Sequence, residues 1–293
     1  MTANVNLIDD LPFNSSRGYA CGGTFTIEPL PQPFGALVHG IEWGVPDNDA
    51  VFWLTRALRR HLLLVFRGQV SPTHQQLYSF FRPFGRPVTE TLDGTAHYNS
   101  FSKDDQVQIH RKGDFNYIVN TEEGQAEARW HTDHFHLPQY KVIGVLEALE
   151  FSPGAVPTKF RDMYTAYEML SLEERGPLEY QQTVNFDQRK PDMTKLPRLA
   201  DSMHPVFANH PHSGRRAIYV NEYTHRIAGM APERSQETIS RLLQHAERTA
   251  PVYEHHWQVG DICVWDNVGL QHRRDPATPG LKRRLRAYEG VAE

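Results

Sequence analysis

A histidine and an aspartate stand two positions apart in the segment 130–137, which reads Trp-His-Thr-Asp-His-Phe-His-Leu. If this segment is a β-strand, alternate side chains share a face, so His131 and Asp133 point the same way. Imidazole nitrogens and carboxylate oxygens are both ligands of divalent metal ions. The tripeptide His-x-Asp also arises often by chance, and a surface strand that happens to carry both residues is the plain alternative. A metal site therefore needs a further ligand from elsewhere in the chain.

The segment 258–272 supplies a candidate for that ligand. Its pattern predicts a turn, a buried strand over 262–265, a second turn, and an alternation that brings His272 onto an apolar face. His255 and His256 compete for the role but lack this hairpin context. A lone histidine on an apolar face is more often a core residue, so only its combination with the first pair indicates a site. Two histidines and one carboxylate on one side of an iron(II) ion leave the other side open, as in non-haem oxygenases.

Many short strands and a few helices must position these residues. Helical periodicity and caps predict helices over 47–64, from Ser71-Pro72 onward, over 164–170, after Ser171 and over 231–249. Strands are predicted over 62–66, 117–120, 141–150, 217–220, 262–265 and 285–288. The pattern predicts a mainly β fold with flanking helices, a jelly roll, and one domain over 1–293. The chain has no nucleotide-binding glycine motif.

Taken together, the motifs resemble the taurine dioxygenase / 2,4-dichlorophenoxyacetate dioxygenase (TauD/TfdA-like) family. The resemblance covers nearly the whole chain, and it lies in the order and spacing of the motifs. The motifs are Phe84-Gly85, Trp130-His131-Thr132-Asp133, the stretch 163–170, Tyr219-Val220-Asn221, Gly260-Asp261, and Trp265-Asp266-Asn267 leading to His272 and an arginine cluster. The resemblance implies a double-stranded β-helix and a reaction that consumes O2 and 2-oxoglutarate.

The same resemblance implies roles for single residues. His131, Asp133 and His272 match the family's Fe(II) ligands. Thr158 and Arg283 lie at the spacing from the two histidines at which the family contacts 2-oxoglutarate. The planar fork of an arginine can hold a carboxylate through two hydrogen bonds, which suits the distal end of this co-substrate. The alternative for Arg283 is a solvent-facing charge on a terminal strand.

The chain departs from the family pattern at two places. The family's Gly-Gly-Asp-Thr loop is replaced by Gly154-Ala-Val-Pro-Thr, in which Pro157 lacks a backbone donor. The position of the family's second arginine is Ala287. Arg286 is one residue early, so on a regular strand it faces the opposite way unless a bulge intervenes.

Substrate contacts are predicted in two regions. His97 and Tyr98 lie before the first metal ligand, where the family gathers substrate contacts. Arg284 and Arg286 are candidate partners for an acidic substrate. The implied reaction oxidises, by default hydroxylates, a C–H bond of a small anionic organic molecule and gives succinate and CO2. A zinc hydrolase with the same three ligands and a catalytically inactive jelly-roll binding protein are the alternatives.

Composition limits the other classes of function. The 293 residues carry a net charge of −4 and no long basic run, which argues against nucleic-acid binding. No apolar stretch approaches the roughly 18 residues of a membrane helix, and no secretory signal precedes the fold. Cys21 and Cys263 do not form a disulfide framework. We therefore expect a cytoplasmic enzyme with a small-molecule substrate, and the pattern leaves a homo-oligomer open.

Overall fold

The structure is a computed structural model that describes residues 19–21, 25–87, 107–112, 115–120, 126–185 and 203–291. Within these residues the strands, in chain order, are β1 (Tyr19–Cys21), β2 (Phe25–Pro29), β3 (Ala36–His39), β4 (Leu63–Phe66), β5 (Arg86–Pro87), β6 (Val107–Lys112), β7 (Phe115–Asn120), β8 (Ala128–His131), β9 (Lys141–Phe151), β10 (Thr158–Asp162), β11 (Gln182–Asn185), β12 (Met203–Pro205), β13 (Phe207–Asn209), β14 (Arg216–Ile218), β15 (Thr224–Ile227), β16 (Val252–His255), β17 (Ile262–Asp266), β18 (Leu270–Arg274) and β19 (Arg283–Val291). The α-helices are α1 (Asn48–His61), α2 (His74–Phe81), α3 (Met163–Glu168), α4 (Leu172–Arg175) and α5 (Pro232–Thr249). Short 3-10 helices span Arg82–Phe84 and Gly176–Leu178.

Two sheets carry most of the strands. The larger sheet runs in the order β1-β2-β3-β4-β17-β9-β19-β7-β6, and β5 pairs with β19. The smaller sheet has the order β16-β10-β18-β8. Strands β12-β11-β15 and β13-β14 form two further small sheets. The described chain is thus mainly β with flanking helices, which confirms that part of the predicted fold class.

Large apolar side chains join the two main sheets. Phe160 of β10 and Trp265 of β17 are fully buried, with ring centroids 5.5 Å apart. Trp265 lies over Gly144, its cross-strand partner on β9, where a Cβ atom would come within 2.1 Å of the indole. Only glycine leaves room for this ring. The indole therefore fills the space between the sheets directly behind the histidine-bearing strand β18.

Helix α1 packs on the outer face of the larger sheet together with α2. Asp47 caps α1 by accepting a hydrogen bond from the Ala50 amide at 2.7 Å. The helix ends before position 64 because Leu62 adopts a left-handed backbone, with φ of 62°, and the chain then enters β4. The predicted helix 47–64 is therefore too long at its C-terminal end.

Helix α2 begins at His74 and not at Pro72. The Thr73 hydroxyl accepts from the Gln76 amide, and the Gln76 side chain accepts from the Thr73 amide. This capping box satisfies two otherwise unpaired amides and fixes the helix start.

Strand 62–66 and helix 231–249 are confirmed to within a residue of their ends. No helix in the described part of the chain is long and apolar enough to cross a membrane.

Candidate active site

The first histidine of the candidate site closes strand β8. His131 Nδ1 lies 2.6 Å from the carbonyl oxygen of Arg129. Because a carbonyl only accepts hydrogen bonds, we infer that the ring proton sits on Nδ1 and that Nε2 keeps its lone pair. The ring also meets Tyr223 edge-on, with centroids 5.8 Å apart. The backbone thus fixes the orientation of the His131 ring, with Nε2 facing Asp133.

Asp133 reaches the site from a turn, which corrects the predicted strand over 130–137. Strand β8 ends at His131, and the next residues turn through His134, whose φ is 56°. Asn267 fixes this turn from the facing segment. Its Oδ1 accepts from the Asp133 amide and its Nδ2 donates to the Asp133 carbonyl, both at 3.2 Å. The carboxylate therefore meets His131 through turn geometry and not through strand alternation.

The third side chain comes from β18. His272 is the cross-strand partner of His131, so the sheet register brings together two residues that are distant in sequence. Its ring packs against Trp265 at 5.1 Å and Phe160 at 5.9 Å. These large rings leave His272 few alternative positions, which orients the imidazole before any ligand binds.

The two rival histidines lie elsewhere. His255 is fully buried, with Nε2 3.1 Å from Asp261 Oδ2 and Nδ1 2.9 Å from the Tyr253 hydroxyl. His256 is exposed beside Glu254, at 3.2 Å. Both therefore have partners that account for them without a metal.

His131, Asp133 and His272 together form a group that could hold a metal ion. Asp133 Oδ1 lies 3.5 Å from His131 Nε2 and 3.7 Å from His272 Nε2, and the three donor atoms all lie within 4.8 Å of one another. Two imidazoles and one carboxylate are the donor set of an open-sided iron(II) site. Burial acts to raise the pKa of Asp133, but Lys141 and the two histidines hold it well below its usual value. The carboxylate is therefore ionised and suited to bind a cation.

Lys141 is a polar member of the site that the sequence reasoning missed. Its Nζ donates to Asp133 Oδ2 at 2.9 Å, and its side chain is only 1% exposed. It opens β9, whose first eight residues are all buried. A lysine at the head of such an apolar run is costly to bury and was a readable signal.

Arg283 is buried at the start of β19, with 5% of its surface exposed. Within the described residues no acidic side chain pairs with it, and its Nε atom has no hydrogen-bond partner. Burial and the nearby Arg274 lower the pKa of Arg283 to about 9. A buried guanidinium without a counter-charge is unfavourable by itself, and an anion would satisfy it.

A series of contacts leads from the metal group to Arg283. Phe160 pairs across the strands with His272, and Thr158 lies two residues away on the same face of β10. The Trp257 indole donates to Thr158 Oγ1 at 3.0 Å. Phe151 then lies 6.2 Å from the Trp257 ring and 5.9 Å from the Arg283 guanidinium. The metal group and Arg283 thus lie at the two ends of one region of packed side chains, which includes Thr158.

Arg274 brings a second buried guanidinium to this region and was not found from the sequence. Its Nη1 donates to the Asp275 carbonyl at 2.8 Å and its Nη2 to the Ala126 carbonyl at 2.6 Å. These neutral acceptors orient the group but leave its charge in place. Two positive charges close together favour an anion between or beside them.

The remaining arginines of β19 have acidic partners. Arg286 is buried against Glu147 on the face opposite Arg283, and Arg284 is exposed beside Glu150 at 3.1 Å. The register does shift between Arg284 and Leu285, but β9 carries the extra residue, so the alternation along β19 is kept. The bulge that would have turned Arg286 into the site is therefore absent from β19. His97 and Tyr98 lie outside the described residues.

The comparisons with known proteins agree with this geometry. The family model described as "Taurine catabolism dioxygenase TauD, TfdA family" matches residues 26–288. The chain is 32% identical to pentalenolactone F synthase of Streptomyces arenae, over 90% of this chain and 95% of that protein. It is 28% identical to (S)-phenoxypropionate/alpha-ketoglutarate-dioxygenase of Sphingobium herbicidovorans, over 88% of this chain and 92% of that protein. A solved taurine dioxygenase from Burkholderia xenovorans shares the fold, with a TM-score of 0.72, 23% identity and coverage of 92% and 90% of the two chains.

The mainly β fold brings together two histidines and one carboxylate, a donor set that non-haem iron oxygenases use. More specifically, the chain belongs to the TauD/TfdA family. It is a 2-oxoglutarate-dependent dioxygenase that uses Fe(II) and O2 and acts on a small organic substrate. The predicted family, enzyme class and cofactors are confirmed. The comparisons give no support to a zinc hydrolase or an inactive binding protein.

Proposed function

We propose that His131, Asp133 and His272 hold the Fe(II) and that Thr158 and Arg283 bind 2-oxoglutarate. The three ligand atoms support the first assignment through their mutual distances and their chemical types. We further propose that the two main sheets form a double-stranded β-helix and that the whole chain is one catalytic domain. A cytoplasmic location and a homo-oligomer stay predictions.

The observation that carries the co-substrate assignment is the buried guanidinium of Arg283, which has no acidic partner among the described residues. 2-Oxoglutarate has a chelating 2-oxo acid at one end and a carboxylate at the other. A metal group at one end of the region and an arginine at the other match these two ends. Arg283 supplies a planar fork for the distal carboxylate, and Arg274 adds positive charge beside it.

Each side chain then has a defined task. Bound Fe(II) supplies the centre at which O2 and 2-oxoglutarate react, with succinate, CO2 and an oxidised, by default hydroxylated, substrate as products. Thr158 Oγ1 accepts from the Trp257 indole, so its own hydroxyl proton can be donated to the co-substrate. Phe160 and Trp265 exclude water behind His272 and hold its ring in place.

The proposed substrate is a small organic anion. Support comes from the relative named for phenoxypropionate, which is a carboxylate. Arg284 and Arg286 no longer support it, because Glu150 and Glu147 pair with them. The anion would instead be recognised by groups nearer the metal.

The test is anaerobic metal titration followed by succinate measurement under air. We expect His272→Ala and Asp133→Ala to lose Fe(II) affinity and succinate formation while keeping the wild-type circular dichroism spectrum. His256→Ala is the matched control, because His256 is exposed and lies outside the group. Wild-type metal affinity in both site variants would refute the ligand assignment.

The substrate proposal uses the same assay with matched acids and neutral amides of small aryloxy and alkyl compounds. We expect the acids to stimulate succinate formation above the uncoupled rate and the amides to do so much less. Stimulation by amides alone would refute an anionic substrate without affecting the metal assignment.

A further inference from the structure

The carboxylate of Asp133 has two oxygens in different environments. Oδ1 faces both histidines, at 3.5 Å and 3.7 Å. Oδ2 instead accepts a hydrogen bond from Lys141 Nζ at 2.9 Å. One oxygen is thus directed to the place where a metal would bind, and the other is engaged by a cation of the protein itself.

Lys141 approaches from the protein interior. Its side chain is 1% exposed, whereas that of Asp133 is 24% exposed. The ammonium group therefore lies behind the carboxylate as seen from the open side of the site. A buried lysine is retained only where its charge is paired, and the metal-ligand candidate is the partner shown here.

The backbone keeps this pair in register. Asn267 donates through Nδ2 to the carbonyls of both Asp133 and Lys141, at 3.2 Å and 3.1 Å. Its Oδ1 accepts from the Asp133 amide and from the Trp265 indole, both at 3.2 Å. One side-chain amide thus ties the turn that carries Asp133 to the first residue of β9. Movement of the lysine relative to the aspartate would break these bonds.

A carboxylate can bind a metal through one oxygen or through both. An open-sided oxygenase site needs its remaining positions for co-substrate and O2. Binding through both oxygens of Asp133 would take one of those positions.

We propose that Lys141 is a positioning residue that engages Oδ2 of Asp133, so that the carboxylate offers only Oδ1 to the metal. This inference rests on the proposed role of Asp133 as a metal ligand. It assigns to Lys141 the task of keeping a coordination position open for 2-oxoglutarate. Replacing Lys141 should therefore weaken 2-oxoglutarate binding more than metal binding.

The experiment measures the metal affinity and the 2-oxoglutarate affinity separately. Mn(II) and 2-oxoglutarate binding are measured by calorimetry on the full-length protein, with 2-oxoglutarate added to the Mn(II)-loaded form. Lys141→Met keeps the length of the side chain but cannot donate. We expect its Mn(II) affinity to stay equal to or above that of the wild type. We expect its 2-oxoglutarate affinity to fall by about tenfold or more, the size of one oriented interaction with a charged group.

A spectrum gives an independent readout. Fe(II) chelated by a 2-oxo acid absorbs visible light under anaerobic conditions, and the Lys141→Met protein should show a weaker or shifted band at saturating Fe(II). Lys159→Met is the matched control, because Lys159 pairs with Asp275 at 2.7 Å and does not contact the metal group. That variant should match the wild type in both affinities and in the spectrum.

Two outcomes would overturn the proposal. Unchanged 2-oxoglutarate affinity in Lys141→Met would show that the lysine does not keep a position open. A parallel loss of metal affinity, co-substrate affinity and thermal stability would show a purely structural role. If the methionine variant does not fold, Lys141→Gln carries the same test, with a smaller loss expected because an N–H donor remains. Failure of the ligand assignment is seen separately, as wild-type Mn(II) affinity in Asp133→Ala.

Discussion

Arg283 and Arg286 lie three residues apart on β19 and are almost equally buried, at 5% and 4% exposure. Arg286 donates from Nε and Nη2 to Glu147 Oε2 on β9 and from Nη2 to the Pro72 carbonyl. Arg283 has no such carboxylate within the described residues. Its charged neighbour there is Arg274, which has the same sign.

The strand alternation explains the difference. Arg286 lies on the face toward α2, where Glu147 is its direct cross-strand partner. Arg283 lies on the face toward the smaller sheet and the metal group. Burial of an arginine therefore does not identify its role. The source of its counter-charge identifies the role. An arginine neutralised by an acidic residue of the chain has a structural role, whereas an arginine without such a residue favours an external anion.

The largest expected effect is the loss of protein stability when Arg286 is replaced. Arg286→Met leaves the Glu147 carboxylate buried without its partner, which typically costs about 3–5 kcal/mol. The free energy of unfolding, from urea denaturation, measures this loss. Burial already raises the pKa of Glu147. A raised pKa in the folded state makes stability fall as pH rises, so the loss should be smaller in mildly acidic than in mildly alkaline buffer.

The double variant Glu147→Leu/Arg286→Met sharpens this prediction. It removes both charges and fills the space with apolar side chains, so most of the lost stability should return. A single Arg286→Met variant as stable as the wild type would contradict this prediction, because the Arg286–Glu147 ion pair would then contribute nothing to the free energy of unfolding.

The second prediction concerns Arg283, the proposed co-substrate arginine, whose replacement should lower ligand affinity and not stability. Arg283→Met should leave the stability of the ligand-free protein unchanged or slightly higher, because it removes a buried charge that no acidic side chain neutralises within the described residues. The free energy of 2-oxoglutarate binding should weaken by about 2–5 kcal/mol, which is on the order of 30-fold to several thousand-fold in affinity. Calorimetry on the Mn(II)-loaded protein measures the affinity.

Arg283→Lys is the control for geometry. It should recover part of the affinity only, since an ammonium group cannot reproduce the planar fork. Normal 2-oxoglutarate binding by Arg283→Met would contradict the assignment, whatever its stability.

The sequence was sufficient for the parts of the site that depend on residue type and order. The residue types of His131, Asp133 and His272 predicted the metal group, although Asp133 reaches it from a turn and not from a strand. Regular alternation along β19 predicted opposite faces for Arg283 and Arg286. The resemblance supplied the family, which the comparisons confirm. These features follow from local periodicity and from motifs that one sequence contains.

The sequence was insufficient where tertiary contacts decide. The turn at Asp133 depends on Asn267, more than a hundred residues away, and local periodicity cannot reveal such a contact. Arg274 was missed because a charge on a strand is normally solvated, and its burial depends on which segments cover the strand end. The apolar run that begins at Lys141 was a signal of burial, but it does not show which carboxylate the lysine meets.

The smallest expected effect is at Arg284, the residue between the two buried arginines. Its side chain is 45% exposed and pairs with Glu150, itself 46% exposed. Exposed ion pairs contribute about 0–1 kcal/mol because water and salt screen them. Arg284→Ala should therefore change the free energy of unfolding by no more than this and leave the 2-oxoglutarate affinity unchanged. Because the three arginines share one strand, this variant checks the register. Loss of 2-oxoglutarate binding in Arg284→Ala, with normal binding in Arg283→Met, would mean that β19 presents the other face to the site.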